Sequence, residues 1–518
     1  MATFFYDRIV CPYCLGKGLH EGVFSHKDVH FRMETCFEEE ELNDEGKKES
    51  EVRRMPEGPE KARLLAQIAE RKPFLAKESD SYKNFWQEFG GTTEVAYGMD
   101  KDRKIKPWQL PILDPSNPEH RRLLASKRSA GGDPRDDYFL YDGDGMVIGV
   151  EDIHGHETYR RVCPKCHNPL AAGYGKFETK FISVIGITQS GKTVFLSQLL
   201  KTIFDYTSHV GLSSYFSSDH ENSFVNANPV EAGKALPAAT VASRFTQPMY
   251  YDLVRRLPGD RRETNTIVLY DIAGENCVRP QEMAKFGRFI IKSDGIIMLL
   301  DPGQLGFGAL EDTGEKPPAA QDVFNAIYKA FQEVKSENVL TVPMAVCISK
   351  SDKVKHILPT ESRCDIKHAQ NPRTGSRIKA FNASEYNILQ KSLTEQIEGN
   401  CEAVHELLCN NYKYFNYFAF SATGCAVEKR DGKSYPVEPP NPQRIAEPLL
   451  WLFYRFGYIS SDVPIRLPFP LEEKIPRWVE IQPTGPFAFL QKPKKHYLTE
   501  DEIDREKEKE QYWYEPYL

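Results

Sequence analysis

The sequence has no apolar run long enough to cross a membrane. Its longest runs, Gly295–Leu300 and Leu449–Tyr454, are far shorter than the roughly 20 residues that a membrane-spanning helix needs. It also lacks a strong excess of either charge, since the formal net charge is −7 over 518 residues. This balance argues against a protein whose whole surface holds nucleic acid, although it leaves room for a local basic patch.

A secretory signal and a disulfide framework are missing as well. Residues 1–8 have neither the basic region nor the apolar core of a signal peptide. The 11 cysteines are odd in number, and four of them form two Cys-x-x-Cys pairs, a usage typical of metal binding in a reducing compartment. We therefore expect a cytoplasmic protein that does not associate with membranes.

Composition indicates three regions along the chain. Residues 1–175 hold both cysteine pairs, separated by a charged segment over about 38–140 that we expect to be partly disordered and to contain a helix at 60–71. Residues 177–460 alternate short apolar strands with helices, which predicts an α/β domain with a mostly parallel sheet. Residues 461–518 form a Pro-rich and then charged extension, whose aromatic end is either a docking peptide or packs back on the body.

The α/β region begins with a glycine-rich motif, Gly186-Ile-Thr-Gln-Ser-Gly-Lys-Thr193, between a predicted strand and a predicted helix. In such a loop backbone N–H groups surround phosphates, the lysine reaches the β and γ phosphates, and the hydroxyl of Thr193 binds Mg²⁺. The alternative interpretation is a glycine turn with an incidental lysine. The residues predicted to hold the nucleotide here are Gly186, Gln189, Ser190, Gly191, Lys192, Thr193 and Val194.

A second motif, Asp271-Ile-Ala-Gly274, lies at the end of the predicted strand over 266–270. At this position an acidic residue holds Mg²⁺ through water, and a glycine offers its N–H to the γ phosphate. A strand followed by an ordinary turn is the alternative. The residues to which the order of motifs assigns catalytic roles are Lys192, Thr193, Asp271, Gly274 and the adjacent Glu275.

Two further motifs follow predicted strands and are suited to reading a nucleotide base. In Ser349-Lys-Ser-Asp352, the carboxylate of Asp352 can accept from both N1–H and the exocyclic amine of guanine, a donor pair that adenine lacks. The stem of Lys350 can cover the base while its ammonium stays polar. The second motif contains Ser421 and Ala422. Together these residues predict binding of a guanine nucleotide.

The cysteine pairs Cys11-Pro-Tyr-Cys14 and Cys163-Pro-Lys-Cys166 are two halves of a predicted zinc ribbon. A hairpin over 145–150 and 157–162 is expected before the second pair. Four thiolates complete a tetrahedral shell, so the zinc is expected to be structural. Two unrelated reduced thiol pairs are the alternative. The residues considered as substitute ligands are Cys36, His154, His156 and His167.

The ordered motifs resemble the translation-factor-related class of P-loop GTPases, in which a Ser-Ala motif like that at Ser421 contacts the guanine carbonyl through its backbone. With the zinc ribbon and the sequence from Asp294 to Pro302, they are similar to the bacterial double-GTPase family. The resemblance implies a P-loop GTPase domain over 177–460 that uses GTP, GDP, Mg²⁺ and Zn²⁺. It also implies a switch in a signalling or conflict system with protein partners encoded alongside it, while pairing of two such domains stays open.

Several residues depart from the family pattern. Glu275 stands where small GTPases have the Gln that orients the attacking water, Ser349 replaces Asn or Thr, and Thr188 replaces a Gly beside the γ phosphate. These differences predict slow hydrolysis without an activator. The switch threonine that would bind Mg²⁺ is Thr240, with Thr246 as the other candidate. The arginines considered for stabilising transition-state charge are Arg244, Arg279 and Arg288.

Two other functions are compatible with the sequence. One is a zinc-ribbon scaffold or nucleic-acid-binding protein whose nucleotide domain hydrolyses little, with a basic region around 101–106 and 121–128. The other is a P-loop ATPase. The guanine-reading Asp352 argues against the ATPase, and the intact phosphate motif argues against an inactive domain.

Overall fold

Short strands form the first part of the chain and longer strands its middle. The computed structural model describes residues 4–15, 22–33, 45–71, 78–97, 106–125, 138–152, 155–187, 189–238, 245–308, 317–364, 367–482 and 493–515. The strands among them are β1 (Ile9–Val10), β2 (Val23–Phe24), β3 (His30–Arg32), β4 (Ile112–Leu113), β5 (Phe139–Tyr141), β6 (Val147–Glu151), β7 (Glu157–Thr158), β8 (Arg161–Val162), β9 (Glu178–Gly186), β10 (Leu212–Phe216), β11 (Met249–Arg256), β12 (Arg262–Ala273), β13 (Gly295–Leu300), β14 (Met344–Ile348), β15 (Phe415–Ala419), β16 (Val427–Arg430), β17 (Lys433–Pro436), β18 (Trp478–Ile481) and β19 (Lys494–Tyr497).

Helices lie between these strands. The α-helices are α1 (Glu49–Arg54), α2 (Pro59–Arg71), α3 (Asp80–Glu88), α4 (Lys192–His209), α5 (His220–Ala227), α6 (Glu275–Val278), α7 (Pro280–Ile291), α8 (Ala320–Lys335), α9 (Ala383–Asn400), α10 (Glu402–Asn411), α11 (Glu447–Arg455) and α12 (Glu500–Lys507). Short 3-10 helices lie at Pro107–Gln109, His120–Leu123, Pro302–Leu305, Ser351–Ile357, Thr360–Ser362, Glu472–Lys474 and Glu510–Trp513. Within the described ranges, no helix combines the length and the apolar character needed to cross a membrane.

The longest strands form one central sheet of seven strands in the order β10-β11-β12-β9-β13-β14-β15. β13, β14 and β15 run parallel, whereas β11 and β12 form an antiparallel ladder. Every residue of β13, β14 and β15 is buried, as expected for parallel strands that are covered on both faces. The sequence predicts strands at the apolar runs 181–186, 266–271, 295–301, 344–349 and 417–421. They are confirmed as β9, β12, β13, β14 and β15, within a sheet of mixed direction.

The chain divides into two compact units. The first comprises Met1–Ser183, Ser214–Phe224 and Val241–Asp294. The second comprises Val184–Ser213, Val225–Thr240 and Gly295–Leu518.

In the first unit, aromatic side chains that follow the first cysteine pair pack against α7. The ring of Phe85 in α3 lies 4.8 Å from that of Phe89. Phe89 in turn lies 5.7 Å from Phe286 and 5.8 Å from Phe289, both in α7. α2 confirms the helix predicted at 60–71. The described part of the charged segment thus contains α1, α2 and α3, and the expectation of disorder concerns only residues outside the described ranges.

In the second unit, α9 and α11 pack on the parallel strands: the rings of Tyr386 and Trp451 lie 5.0 and 5.7 Å from that of Phe418 in β15. Another helix of this unit has one apolar face. α8 buries Val323, Phe324, Ile327 and Phe331, which recur every three or four residues. The C-terminal residues belong to the same unit: the N–H of Leu467 donates to the carbonyl of Trp513 over 2.7 Å. Up to residue 515, the aromatic end of the chain therefore packs back on the body, as one of the two sequence alternatives stated.

Candidate functional site

The glycine-rich motif forms a tight loop between β9 and α4. The N–H of Ser190 donates to the carbonyl of Ile187 over 2.9 Å, and Gln189 and Gly191 both have left-handed backbones, with φ of 74° and 73°. α4 begins directly after, at Lys192. The first N–H groups of a helix have no partner within it, so this end is suited to bind an anion. Thr188 lies outside the described residues.

Close packing explains the glycine at position 186. A Cβ there would lie 2.6 Å from Ser190 Oγ and 2.8 Å from Lys192 Cβ, which is closer than real Cβ contacts allow. The Lys192 side chain is buried in the loop with 6% exposure, while Thr193 is half-buried and Val194 is buried. The sequence prediction that these residues share one loop around the start of α4 is therefore consistent with their positions.

The residues of the Asp-x-x-Gly motif lie in the first unit. Asp271 is buried near the end of β12, the strand next to β9 in the sheet order. Gly274 precedes α6, and Glu275 is its first residue, half-buried. The strand thus extends beyond the predicted range of 266–270 to Ala273, and a helix starts at Glu275 directly after the glycine of the motif.

Ser349, the first residue of the base-reading motif, is held by β13, the neighbouring strand of the sheet. Both the N–H and the hydroxyl of Ser349 donate to the carbonyl of Leu300, each over 2.9 Å. Lys350 then adopts a left-handed backbone with φ of 51°, and the N–H of Lys353 closes a turn onto its carbonyl. This turn leaves the carboxylate of Asp352 half-buried at the carboxyl end of β14.

The two base-reading motifs meet through their side chains. The hydroxyl of Ser421 donates to Asp352 Oδ1 over 2.5 Å and accepts from the N–H of Gly424. The backbones also join, because the N–H of Ser351 donates to the carbonyl of Phe420 over 3.0 Å. Ala422 follows, half-buried. The structure thus fixes the orientation of Asp352 and brings together residues that are 69 positions apart.

Asp301 is a member of this site that sequence reasoning missed. Its Oδ2 accepts from the ammonium of Lys350 over 2.9 Å, and its Oδ1 accepts from the N–H of Gly303, which caps a 3-10 helix. The side chain is buried. In the sequence, the segment around Asp301 contributed only to the family resemblance. An acidic residue at the end of a buried strand was nevertheless a signal that could have identified Asp301 as a site residue.

The remaining switch and arginine candidates are placed as follows. Thr240 and Arg244 lie outside the described residues, and Thr246 is half-buried. Arg279 is the residue before α7. The guanidinium of Arg288 stacks 4.5 Å above the Phe89 ring and lies 3.6 Å from Glu88. In the first unit, Arg288 thus joins α7 to α3.

The comparison with protein families identifies the region that contains these motifs. Residues 180–410 match the family model described as Double-GTPase 2. This segment is therefore similar to the double-GTPase family, in line with the resemblance that its motifs carry. Among solved structures, one match is described as a crystal structure of sup35 complexed with GDP, with 11% identity, 48% of this chain covered and a TM-score of 0.18. The chain spans only 38% of that protein's length, and the curated proteins include no match.

Outside residues 180–410, the four predicted zinc cysteines come together. The sulfur atoms of Cys11, Cys14, Cys163 and Cys166 all lie within 4.8 Å of one another. The Sγ atoms of Cys11 and Cys166 are 3.6 Å apart, and those of Cys14 and Cys163 are 3.8 Å apart. Four sulfurs at the usual zinc distance of about 2.3 Å in a tetrahedron are separated by about 3.8 Å. The donor set therefore fits Zn²⁺.

Both cysteine pairs adopt the same turn. The N–H of Leu15 donates to the carbonyl of Cys11, and the N–H of His167 donates to that of Cys163, each over 3.0 Å. Leu15 and His167 both have left-handed backbones, with φ of 49° and 54°. In each turn an N–H also donates to the first sulfur, from Tyr13 and from Lys165, over 3.4 Å. N–H donors of this kind stabilise thiolates, as a metal site requires.

Short strands flank these turns. β1 precedes the first cysteine pair and pairs with β2, while β8 precedes the second pair and pairs with β3. The predicted hairpin is confirmed in β6 and β7, but its expected second strand ends at Thr158. Residues 161–162 belong to a different sheet.

Burial raises the pKa of the Cys11 and Cys166 thiols well above the ordinary value. The physical cause is desolvation, which disfavours an isolated thiolate, and a divalent cation in the same place would offset it. The substitute ligand His167 has another role, since its ring nitrogens contact Ser79 Oγ and His30 Nδ1. His156 contacts Asp152, and the candidates Cys36 and His154 lie outside the described residues.

Proposed function

We propose that the protein binds GTP and GDP and hydrolyses GTP as a molecular switch, through a GTPase domain over 177–460. The observation that carries this proposal is the pair of fixed side chains at the base-reading motifs, in which Ser421 holds Asp352 and Asp301 holds Lys350. A fixed carboxylate can accept hydrogen bonds from N1–H and the exocyclic amine of guanine. Adenine in the same place offers no such donor pair, so the site favours guanine. This selectivity favours a GTPase over an ATPase.

Lys192 and the loop around it would bind the phosphates. We propose that Thr193, Asp271 and Thr240 hold Mg²⁺, which when bound would neutralise charge on the β and γ phosphates. Gly274 would donate its N–H to the γ phosphate. The roles of Lys192, Thr193, Asp271 and Gly274 rest on the motifs and on local geometry, and that of Thr240 rests on the sequence alone.

In the proposed reaction, a water molecule attacks the γ phosphorus in line with the leaving oxygen. The bond between that phosphorus and the β–γ bridging oxygen breaks, and GDP and inorganic phosphate leave. Glu275 would orient the water, in place of the usual amide. Because a carboxylate lacks the amide's donor, we expect slow hydrolysis that an activating partner accelerates.

We propose that the four cysteines bind one structural Zn²⁺ as a ribbon between residues 1 and 175. The matched turns and the sulfur separations support this proposal. A role in a bacterial signalling or conflict system, with partners encoded alongside, is proposed from the family resemblance alone.

The test of nucleotide choice is a calorimetric titration with GDP, ADP and XDP. We expect the protein to bind GDP far more tightly than ADP, and Asp352→Asn to prefer XDP, whose extra carbonyl matches the new amide. Asp322→Asn, which changes an exposed carboxylate in α8, is the matched control and should leave preference unchanged. Equal affinity of the unmodified protein for GDP and ADP would contradict the proposal.

A further inference from the structure

The turn formed by Cys11–Leu15, here named the first knuckle, accepts hydrogen bonds from two side chains outside it. The hydroxyl of Tyr270 donates to the carbonyl of Pro12 over 2.8 Å. The ammonium of Lys292 donates to the carbonyl of Leu15. Tyr270 and Lys292 directly flank residues 271–291, here named the switch segment, which begins with Asp271 and ends with α7. Both ends of the switch segment are thus anchored to one five-residue turn.

The N-terminal anchor acts at the residue before Asp271. Successive residues of a strand point to opposite faces, so Tyr270 reaches the first knuckle from one face of β12 while Asp271 projects from the other. Tyr270 is 1% exposed and is wedged between the rings of Phe181 and Phe289, at 6.0 and 5.1 Å. With so little freedom in its side chain, a movement of the first knuckle moves the backbone that carries Asp271.

The C-terminal anchor acts through α7. Lys292 caps this helix, and its N–H donates to the carbonyl of Arg288. α7 is also fixed on its apolar side, where Phe289 lies 4.7 Å from Phe245. A helix held in this way moves as a rigid body, so the position of Lys292 constrains the start of α7 at Pro280, directly after α6 and its connecting residue Arg279.

The first knuckle is held by packing as well as by its sulfurs. Cys11, Tyr13 and Leu15 are buried, and the Tyr13 ring lies 6.0 Å from that of Phe85 and 6.4 Å from that of Phe245. The flanking strands β1 and β2 of the first knuckle are two residues each, and its link to the second cysteine pair consists of sulfur contacts. In sites of this kind, metal binding supplies much of the folding energy. The positions of the Pro12 and Leu15 carbonyls therefore depend in part on the state of the four sulfurs.

We propose that Tyr270 and Lys292 are positioning residues that couple zinc at the four cysteines to the magnesium and γ-phosphate response of the switch segment. This proposal rests on the proposed GTPase function and adds a regulatory role to a zinc site otherwise taken as structural. Coupling between two binding sites is reciprocal. If bound GTP and Mg²⁺ raise the affinity for zinc by some factor, bound zinc must raise the affinity for GTP and Mg²⁺ by the same factor.

The experiment measures the rate of zinc release from the full chain to a chromogenic chelator. It compares protein loaded with GDP and protein loaded with a non-hydrolysable GTP analogue and Mg²⁺. We expect release from the second state to be slower by about three- to ten-fold, the range that one net hydrogen bond provides. Tyr270→Phe and Lys292→Gln, made separately, should each reduce this difference.

The chain offers a matched control for the loss of a hydroxyl. The Tyr174 hydroxyl donates to the carbonyl of Val10 over 2.7 Å, directly before the first knuckle, but Tyr174 lies outside the switch segment. Tyr174→Phe should therefore change zinc release equally in both nucleotide states and preserve their ratio. Lys292 provides an independent variant if the buried Tyr270→Phe chain does not fold.

Two results would overturn the coupling. One is identical zinc release from the two nucleotide states of the unmodified protein, with guanine nucleotides bound normally. The other is an unchanged ratio in both folded variants. Failure to bind guanine nucleotides at all would instead contradict the proposed function, so the two failures are distinguishable by a titration of the same samples.

Discussion

Replacing Asp301 by Asn tests whether the side chain that sequence reasoning missed contributes to guanine binding. Asn retains an oxygen that can accept from the N–H of Gly303, so the capping bond of the 3-10 helix survives. The change removes the negative charge that faces the ammonium of Lys350 at 2.9 Å. We expect weaker GDP binding and a smaller preference of the protein for GDP over ADP.

The geometry sets the size of the effect. The Asp301 and Lys350 side chains are 8% and 27% exposed, so solvent screens the pair only partly. The Coulomb attraction at this distance is about 6 kcal/mol at an effective dielectric constant of 20, an upper bound because desolvation opposes it. A hydrogen bond to a charged group contributes about 1.5–3 kcal/mol net. If GDP binding loses about 1.5 kcal/mol, the lower of these values, the affinity for GDP falls about ten-fold.

A double-mutant cycle with Lys350→Met measures whether Asp301 acts through Lys350. Calorimetric GDP affinities are needed for the unmodified protein, the two single variants and the double variant. We expect Asp301→Asn to weaken binding in the unmodified background and to have almost no further effect once Lys350 is Met. Asp462→Asn, which alters a carboxylate that accepts from the N–H of Ala383, is the control for a general loss of stability and should leave GDP affinity unchanged. An equal effect of Asp301→Asn in both backgrounds would refute the reasoning.

Four further changes have defined outcomes. Lys192→Ala should abolish Mg²⁺-dependent GTP turnover, with an unchanged unfolding midpoint by circular dichroism; full activity would remove the loop from the mechanism. Gly186→Ala should weaken GDP binding at least ten-fold in a titration, because its Cβ would lie 2.6 Å from Ser190 Oγ. Ser421→Ala frees the Asp352 carboxylate and should lower GDP affinity by about 1 kcal/mol while ADP affinity stays constant. Cys163→Ser should remove the single zinc expected by metal analysis and speed proteolysis before about residue 175, with near-normal GDP affinity.

The local motifs were predictable because their chemistry needs residues that are close along the chain. The loop from Gly186 to Thr193 places a strand, a turn and a helix in sequence, and each has a signature in glycine spacing and apolar pattern. The same holds for the turns at each cysteine pair, and the five main strands were predicted from apolar runs. The match of residues 180–410 to the double-GTPase family model confirms the family resemblance that these motifs indicated.

Contacts between distant residues depended on the tertiary structure. Asp301 and Lys350 are 49 positions apart, and Tyr270 and Pro12 are 258 apart, so no local pattern could pair them. His167 shows the same limit: beside a cysteine it resembles a metal ligand, yet the fold brings Ser79 and His30 to its ring. The spacing of residues along the chain determines which local motifs can form. The sheet order and the packing of α7 determine which distant side chains come into contact.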